Sequence, residues 1–256
     1  MAKITYLGTC SGTEPIANMH HCSLVLEVNG TNYWFDAGEN CAYSSHLSGI
    51  DLLNTKTLVI SHPHIDHTGG LANLLFTMSK LISLGKIGKL NNDSLKIFSP
   101  KENLIDAVLT LTGENKFKIQ TTLISDGVIF EDENVKITAF HNNHLDDNGI
   151  NGWNSFSFLI EMEGKKIVFS GDVKAPTELS QVIGDGCDYL IHETGHHKVK
   201  DVVEFAIAKK VKKLRFNHHG RQIINDRISC QNLIDEYARQ YDISIKIAND
   251  LMVEEI

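Results

Sequence analysis

The feature that most constrains this chain is a cluster of three histidines and one aspartate directly after a short apolar run. The apolar residues 57–60 predict a buried strand, and the segment after Gly70 predicts a helix. The cluster therefore lies on a turn at the carboxyl end of a strand, where α/β proteins commonly bind ligands. Its members are His62, His64, Asp66 and His67.

These side chains are suited to binding metal ions. Imidazole nitrogens and carboxylate oxygens bind divalent cations at about 2.0–2.2 Å. His62 and His64 are two positions apart and can point the same way in an extended segment, whereas Asp66 and His67 would aim at a separate position nearby. Four ligands so closely spaced suit two neighbouring ions better than one. The alternative is a polar surface loop that is rich in histidine by chance.

Further potential ligands follow other apolar runs that predict strands. They are His141 and His144, Asp172, His192 and Glu193, and His218 and His219. If those strands align in sheets, the loops after them converge on one edge. A site for two metals needs about six protein ligands, and these groups would supply them.

Size and composition are compatible with one globular domain over residues 1–256. Hydrophobic residues make up 42% of the 256 residues and charged residues 22%. No apolar stretch approaches the roughly 20 residues that span a bilayer, and the N-terminus shows no secretory signal. The five cysteines are scattered and form no Cys-x-x-Cys pair. We therefore predict a cytoplasmic protein with no membrane partner.

The net charge of −8 argues against a protein that grips long nucleic acid, because such proteins usually carry a basic balance or a basic tail. Two divalent cations would offset up to about four negative charges at one place. The charge therefore favours a small anionic substrate drawn to bound metals, with RNA as the less favoured partner. The sequence leaves the oligomeric state open between a monomer and a homodimer.

The order of the predicted elements indicates the fold class. Strand-rich and helical stretches alternate twice along the chain. This order predicts an α/β protein in which two mixed sheets pack face to face with helices outside.

The segment His62-Pro63-His64-Ile65-Asp66-His67 resembles the His-x-His-x-Asp-His signature of the metallo-β-lactamase superfamily. Phe35-Asp36-Ala37-Gly38 upstream and Gly171-Asp172 downstream are similar to that superfamily too, in the same order. The resemblance implies the αβ/βα four-layer sandwich of the metallo-β-lactamase fold. It also implies two divalent metal ions, usually zinc and sometimes manganese or iron.

The resemblance implies seven metal ligands. They are His62, His64, Asp66, His67, His144, Asp172 and His218. The first ion would take the two early histidines of the signature and a histidine from a later strand end. The second would take the aspartate and last histidine of the signature and a C-terminal histidine. Asp172 holds the position of the bridging carboxylate, and Asp36 that of a buried aspartate that orients the signature.

Two of these assignments leave an alternative open. His144 is preferred to His141, and His218 to His219, by counting from the preceding strand ends as in the phosphodiesterase-like branch of the superfamily. Four other histidines are undecided between a contact with substrate and a structural contact. They are His20, His21, His196 and His197.

Three local features resemble the RNase Z and phosphodiesterase-like branch. They are Leu7-Gly8-Thr9, Asp36-Ala37-Gly38-Glu39 and the segment 188–194. The resemblance to that branch implies that His192 and Glu193 protonate the leaving oxygen or stabilise the phosphorane. We therefore expect His192, Glu193 and Asp66 to be catalytic, with Asp66 also orienting the nucleophile. The alternative for Glu193 is a purely structural role.

The long arm with which RNase Z grips tRNA has no counterpart in residues 117–140. The resemblance implies a dinuclear-metal hydrolase that acts through a metal-bound hydroxide, and the missing arm and the acidic net charge favour a small phosphodiester as its substrate. The alternatives are a tRNA 3′-processing endoribonuclease of the RNase Z type and a thioesterase of the glyoxalase II type. A β-lactamase, a flavodiiron-type redox protein and a non-catalytic binder fit the ligand pattern less well.

Overall fold

The computed structural model describes residues 2–145 and 153–256. The chain divides into two compact units. Unit 1 comprises Met1–Ile124 and Asn249–Ile256, and unit 2 comprises Ser125–Ala248. Each unit contains one seven-stranded sheet. The two sheets and their helices confirm the predicted α/β class, whereas the single domain over the whole chain stays a prediction.

The elements follow one another along both units. The strands are β1 (Ala2–Gly8), β2 (Ser23–Val28), β3 (Thr31–Phe35), β4 (Thr55–Val59), β5 (Ser94–Ser99), β6 (Lys118–Leu123), β7 (Gly127–Glu131), β8 (Lys136–His141), β9 (Phe156–Met162), β10 (Lys165–Phe169), β11 (Tyr189–Glu193), β12 (Lys213–Asn217), β13 (Ser244–Ile247) and β14 (Val253–Glu255). The α-helices are α1 (Cys41–Leu47), α2 (Ile65–Thr68), α3 (Leu71–Ser83), α4 (Leu104–Thr112), α5 (Ser180–Ile183), α6 (Val199–Ala208), α7 (Arg221–Asn225) and α8 (Arg227–Gln240).

The sheet of unit 1 has the strand order β14-β1-β2-β3-β4-β5-β6. The pairs from β14 to β3 are antiparallel, and those from β3 to β6 are parallel. Parallel neighbours need crossover connections, so their carboxyl ends lie at the same edge. The residues that follow β3 and β4 are therefore neighbours in space although they are more than 20 positions apart in sequence.

The sheet of unit 2 has the order β13-β12-β11-β10-β9-β8-β7. The pairs from β7 to β10 are antiparallel, and those from β10 to β13 are parallel. Because β8 and β10 both pair antiparallel with β9, they run in the same direction. The carboxyl ends of β8, β10, β11 and β12 consequently share one edge, as predicted for the strands that precede the potential ligands of this unit.

The amphipathic helix predicted after the signature is observed as α3. Leu71, Leu74, Leu75 and Met78 point into the core of unit 1 and are completely buried. Burial of one such side chain stabilises the fold by about 1.5–3 kcal/mol, so a charged residue at Leu74 would disrupt this packing. The helix is followed by Gly85, whose φ of 76° is readily adopted by glycine and reverses the chain.

Several elements differ from the sequence predictions. The helix α1 and the strand β14 were not predicted. β14 has only three residues, two of them glutamates, and pairs with β1 at the sheet edge. A short charged edge strand has no apolar pattern to reveal it. His192 and Glu193, expected just after a strand, are the last two residues of β11.

No helix in residues 2–145 and 153–256 is both long and apolar enough to cross a membrane.

Candidate active site

The turn after β4 carries what we call the signature group: Ser61, His62, His64, Asp66 and His67. His62 and His67 are completely buried, whereas His64 is exposed. The Nε2 atom of His62 lies 3.1 Å from Nδ1 of His64. Two nitrogen ligands of a tetrahedral zinc ion with bonds of 2.0–2.1 Å would be ~3.3 Å apart. The separation of these two nitrogens therefore fits two ligands of one ion.

Asp36 follows β3 and holds the signature group in place. Its Oδ1 accepts a hydrogen bond from the Ser61 backbone N–H at 2.7 Å. Its Oδ2 accepts hydrogen bonds from the Ser61 hydroxyl at 2.8 Å and from His67 Nδ1 at 2.7 Å. Since the Asp36 carboxylate is buried and engages Nδ1, the other ring nitrogen, Nε2, is the one that faces Asp66. It lies 3.4 Å from Asp66 Oδ2. Metal-binding histidines commonly donate their second N–H to a carboxylate, so the pair Asp66 and His67 also fits a metal.

The loop between β1 and β2 packs against the signature group. A Cβ atom at Gly12 would lie 2.9 Å from Asp66 Oδ2, so glycine lets the backbone approach the carboxylate. The two histidines of this loop make contacts inside unit 1. His20 Nδ1 is 3.4 Å from Glu39 Oε1, and His21 Nε2 is 3.4 Å from the Thr13 carbonyl. These contacts favour a structural role for His20 and His21.

In unit 2, what we call the Asp172 group comprises His144, Asp172, Glu193, His196 and His218. Asp172 is buried after β10, and its oxygens lie 3.3 Å from His218 Nδ1 and 3.7 Å from His144 Nε2. His196 Nδ1 lies 3.8 Å from Asp172 Oδ2. His144, Asp172 and His196 each offer a ligand atom within 4.8 Å of the other two. A buried carboxylate facing three imidazoles at these distances fits a divalent cation.

Glu193, the last residue of β11, anchors the segment that follows it. Its Oε1 lies 3.0 Å from His196 Nδ1 and 3.1 Å from His197 Nε2. Its Oε2 accepts a hydrogen bond from the His196 backbone N–H at 2.9 Å. Burial opposes ionisation, but hydrogen bonds from His196, His197 and His218 outweigh it and hold the pKa of Glu193 well below its usual range. Glu193 is therefore an ionised carboxylate that orients both histidines.

His192, the expected proton donor, lies in the interior of unit 2, and its catalytic role stays a prediction. Its ring is completely buried, and Nδ1 donates to the Glu193 carbonyl at 2.6 Å. Burial lowers the pKa of His192 to about 4, so the ring is neutral near pH 7. His196 is more accessible than His192: its side chain is 44% exposed, and its Nδ1 contacts the Glu193 carboxylate. Spacing could not have singled out His196 in the sequence, because Glu193 ends a strand and His197 contacts the same carboxylate.

The alternatives His141 and His144 have different surroundings. His141 Nδ1 lies 2.6 Å from Asp126 Oδ2, and its ring stacks on Trp153 at 3.9 Å. His144 is the member of this pair that lies beside Asp172.

The alternatives His218 and His219 are also distinguished. His219 is completely buried, donates from Nε2 to the Ala248 carbonyl at 2.9 Å, and has its pKa lowered by burial to about 3. His218 is the member that lies beside Asp172. The structure thus brings together His62 with His64, Asp66 with His67, and His144 and His218 with Asp172, and the assignment of these residues to two shared ions stays a prediction.

Comparisons with known proteins place the chain in a family. The family model described as "Anti-Pycsar protein Apyc1" matches residues 2–214. The chain is similar to the ribonuclease Z of Archaeoglobus fulgidus, with 25% identity over 314 positions that cover 99% of this chain and 97% of the relative.

Two solved structures have a similar fold. The short form of human tRNase Z has a TM-score of 0.75 at 23% identity and covers 99% of both chains. The metallo-β-lactamase fold protein YhfI from Bacillus subtilis has a TM-score of 0.75 at 16% identity, over 100% of this chain and 99% of that one.

These comparisons confirm the predicted metallo-β-lactamase fold and the predicted enzyme class, a metal-dependent hydrolase. The match to the family model extends over most of the sequence. The chain therefore belongs to the anti-Pycsar protein Apyc1 family, within the metallo-β-lactamase superfamily and related to ribonuclease Z.

Proposed function

We propose that this chain hydrolyses a small phosphodiester with the help of two divalent metal ions. The observation that carries the proposal is the Asp172 group, in which one buried carboxylate has imidazole nitrogens of His218 and His144 at 3.3 and 3.7 Å. The signature group of unit 1 supplies a second set of metal-binding atoms, held by Asp36. Such ligand sets are typical of hydrolytic metal centres.

The metal assignment follows from the donor atoms. We propose zinc, because imidazole and carboxylate ligands suit it, with manganese or iron as alternatives that elemental analysis would distinguish. When bound, such ions lower the pKa of a water ligand and offset negative charge on a phosphoryl group. The proposed ligands are His62, His64, Asp66, His67, His144, Asp172 and His218.

Two residues of the chain, Asp66 and His196, would then act on the reacting atoms, and Glu193 would position His196. Asp66 would orient the attacking water, because its carboxylate is buried, ionisable and can accept a hydrogen bond. His196 would donate a proton to the leaving oxygen, since its half-exposed ring can reach a substrate. Glu193 would hold His196 through Nδ1 and stabilise its charged form.

Two features support a small substrate. The net charge of −8 disfavours electrostatic binding of a long polyanion. The alignment with the Archaeoglobus ribonuclease Z runs over 314 positions, more than the 256 residues of this chain, so that relative contains segments absent here. A chain that lacks some segments of this relative and has an acidic net charge is better suited to a compact phosphodiester than to a long polyanion.

A second candidate function is endonucleolytic processing of the tRNA 3′ end. It is favoured by the name ribonuclease Z that the Archaeoglobus relative carries. The two candidates share the reaction and differ in the size of the substrate.

The test combines metal analysis with a substrate panel. We expect about two divalent ions per chain in the purified protein, turnover of bis-p-nitrophenyl phosphate, and loss of that turnover in Asp66→Ala. The matched control is His141→Ala, which removes an exposed histidine that contacts Asp126 rather than the Asp172 group.

The panel also contains a precursor tRNA with a 3′ trailer and a set of thioesters. Cleavage of the precursor without turnover of small phosphodiesters would favour the second candidate. Turnover of thioesters without turnover of phosphodiesters would reject both and indicate a thioesterase of the glyoxalase II type. Unchanged turnover in Asp66→Ala would remove Asp66 from the mechanism.

A further inference from the structure

A chain of buried hydrogen bonds runs beneath the Asp172 group. It consists of Asn142, Ser157 and Ser170, of which Asn142 is 2% exposed and the two serines 1% each. These residues lie just after β8, in β9 and just after β10. None of them is among the proposed metal ligands, and none is needed for the strand pairing, which uses backbone groups only.

The first part of this chain starts at the backbone of His144. The His144 N–H donates to Asn142 Oδ1 at 3.1 Å. Asn142 Nδ2 donates to Ser157 Oγ at 3.1 Å. Ser157 Oγ in turn donates to the Ser170 carbonyl at 2.6 Å. The position of the His144 backbone is thereby linked across β9 to the end of β10.

The second part links the end of β10 to β11. Ser170 Oγ accepts a hydrogen bond from the Glu193 N–H at 3.1 Å and donates to the Gly171 carbonyl at 2.6 Å. Gly171 has a φ of 54° and directly precedes Asp172. The two residues that precede Asp172 are thus both held through their carbonyls by serine hydroxyls.

The direction of each bond is determined by its neighbours. Each serine hydroxyl accepts one hydrogen bond and donates one, so no member can rotate without breaking a bond. Buried polar groups are costly unless they are satisfied, whereas apolar side chains of similar volume would fill the same space without that cost. A fully connected chain of this kind rigidifies its surroundings and specifies one arrangement.

We propose that Asn142, Ser157 and Ser170 are positioning residues for the metal ligands of unit 2. They hold the backbones of His144, Asp172 and Glu193 in the geometry that a metal requires. The ligand atoms are thereby arranged before the ion binds. The inference rests on the proposed function, because it takes His144 and Asp172 to be ligands.

The test measures zinc affinity in the full-length protein by competition with a chromogenic chelator. Ser157→Ala removes the central hydroxyl, and we expect zinc binding to weaken about 10-fold. Ser155→Ala is the matched control. Ser155 is also completely buried, two positions earlier, and its hydroxyl has no hydrogen-bond partner in the part of the chain that the structure describes. We expect Ser155→Ala to bind zinc as tightly as the wild type.

Two further variants separate positioning from general stability. Ser157→Thr keeps the hydroxyl and is expected to retain zinc affinity within about 3-fold of the wild type, even if its extra methyl group lowers the melting temperature. Asn142→Ala removes the bond to the His144 backbone and is expected to reproduce the weakening in Ser157→Ala. It also replaces Ser157→Ala if that variant does not fold.

The outcomes distinguish this inference from the proposed function. If the wild type binds no divalent metal, the proposed function fails and the inference fails with it. If the wild type binds zinc but Ser157→Ala and Asn142→Ala bind it equally tightly, the inference is overturned and the proposed function stands. Equal weakening in Ser155→Ala would also overturn it, because the effect would then be one of packing.

Discussion

The signature group and the Asp172 group contain the same kinds of side chain but are assembled differently. The signature group occupies residues 61–67, directly after the single strand β4. The Asp172 group is gathered from the ends of β8, β10, β11 and β12. A local group is visible in the sequence as a motif, whereas a dispersed group exists only after the strands of unit 2 have paired.

The two groups also differ in how they are held. One carboxylate, Asp36, accepts three hydrogen bonds and orients the signature group alone. In unit 2 several residues share the hydrogen bonds that hold the Asp172 group: Asn142, Ser157, Ser170 and Glu178. A single substitution at Asp36 should therefore have a larger effect than any single substitution among the supporting residues of unit 2.

The largest effect is expected for Asp36→Asn. Asparagine can still accept from the Ser61 N–H, but its amide cannot accept from both the Ser61 hydroxyl and His67 Nδ1. We expect a loss of about 100-fold in zinc affinity and in kcat/KM, measured by chelator competition and by hydrolysis of bis-p-nitrophenyl phosphate.

Asp126→Asn is the control for that substitution. Asp126 also contacts a histidine, His141, at 2.6 Å, but this pair is exposed, and we expect activity within about 2-fold of the wild type. A variant Asp36→Asn that kept full zinc affinity would show that the signature group does not depend on one carboxylate.

The next largest effect separates the two histidines near the end of β8. His144→Ala should weaken zinc binding about 10- to 100-fold if His144 is a ligand, because the ion would lose the nitrogen that lies beside Asp172. His141→Ala should leave zinc binding unchanged, because that ring contacts Asp126 and Trp153. Chelator competition for zinc on both variants shows which histidine is the ligand. A larger loss of zinc affinity in His141→Ala than in His144→Ala would exchange their roles.

The same contrast explains how much the sequence could predict. The signature group and Asp36 can be recognised in the sequence, because each follows an apolar run and the spacing of the residues is enough to identify them. His141 and His144 cannot be separated by spacing with the same certainty, since the decision depends on Asp126 and Trp153, which come from other segments. The low pKa of His192 depends on complete burial, which the sequence does not show. The strand β14 was missed because a three-residue edge strand rich in charge carries no periodic signal.

A smaller effect is expected for Glu178→Gln. Glu178 accepts hydrogen bonds from the Asn143 side chain at 2.6 Å and from the Lys174 N–H at 3.2 Å. Asn143 precedes His144, and Lys174 lies two residues after Asp172. Glu178 therefore links the loop that carries His144 to the loop that carries Asp172. Glutamine keeps one acceptor oxygen, and loss of one charge-assisted bond should weaken zinc binding about 3- to 10-fold.

The control for Glu178 is Glu161→Gln. Glu161 forms an exposed ion pair with Lys136 at 3.4 Å on the same sheet, and such pairs contribute little. Zinc competition on both variants should place Glu178→Gln between Asp36→Asn and the control. A Glu178→Gln effect as large as that of Asp36→Asn would mean that the unit 2 group, too, depends on a single carboxylate.

The smallest effect is expected when the native protein is treated with a thiol reagent. The rate of labelling compares the accessibility of the cysteines in the two units. Burial raises the pKa of Cys41 in unit 1 and of Cys187 in unit 2 to about 12. The reactive thiolate is then about one part in 10⁴ at pH 8. The five cysteines are all buried, so a thiol reagent should label the native protein slowly at pH 8.

In intermediate denaturant, mass spectrometry of the labelled cysteines reports which unit opens. If the chain is one cooperative domain, as predicted over residues 1–256, the cysteines of both units become reactive in the same transition. If unit 2 opens first, Cys187 and Cys230 will react before Cys10, Cys22 and Cys41. The second result would break the single-domain prediction. It would also mean that the Asp172 group, assembled from four strand ends, is lost at lower denaturant than the signature group, because a dispersed group requires the whole sheet.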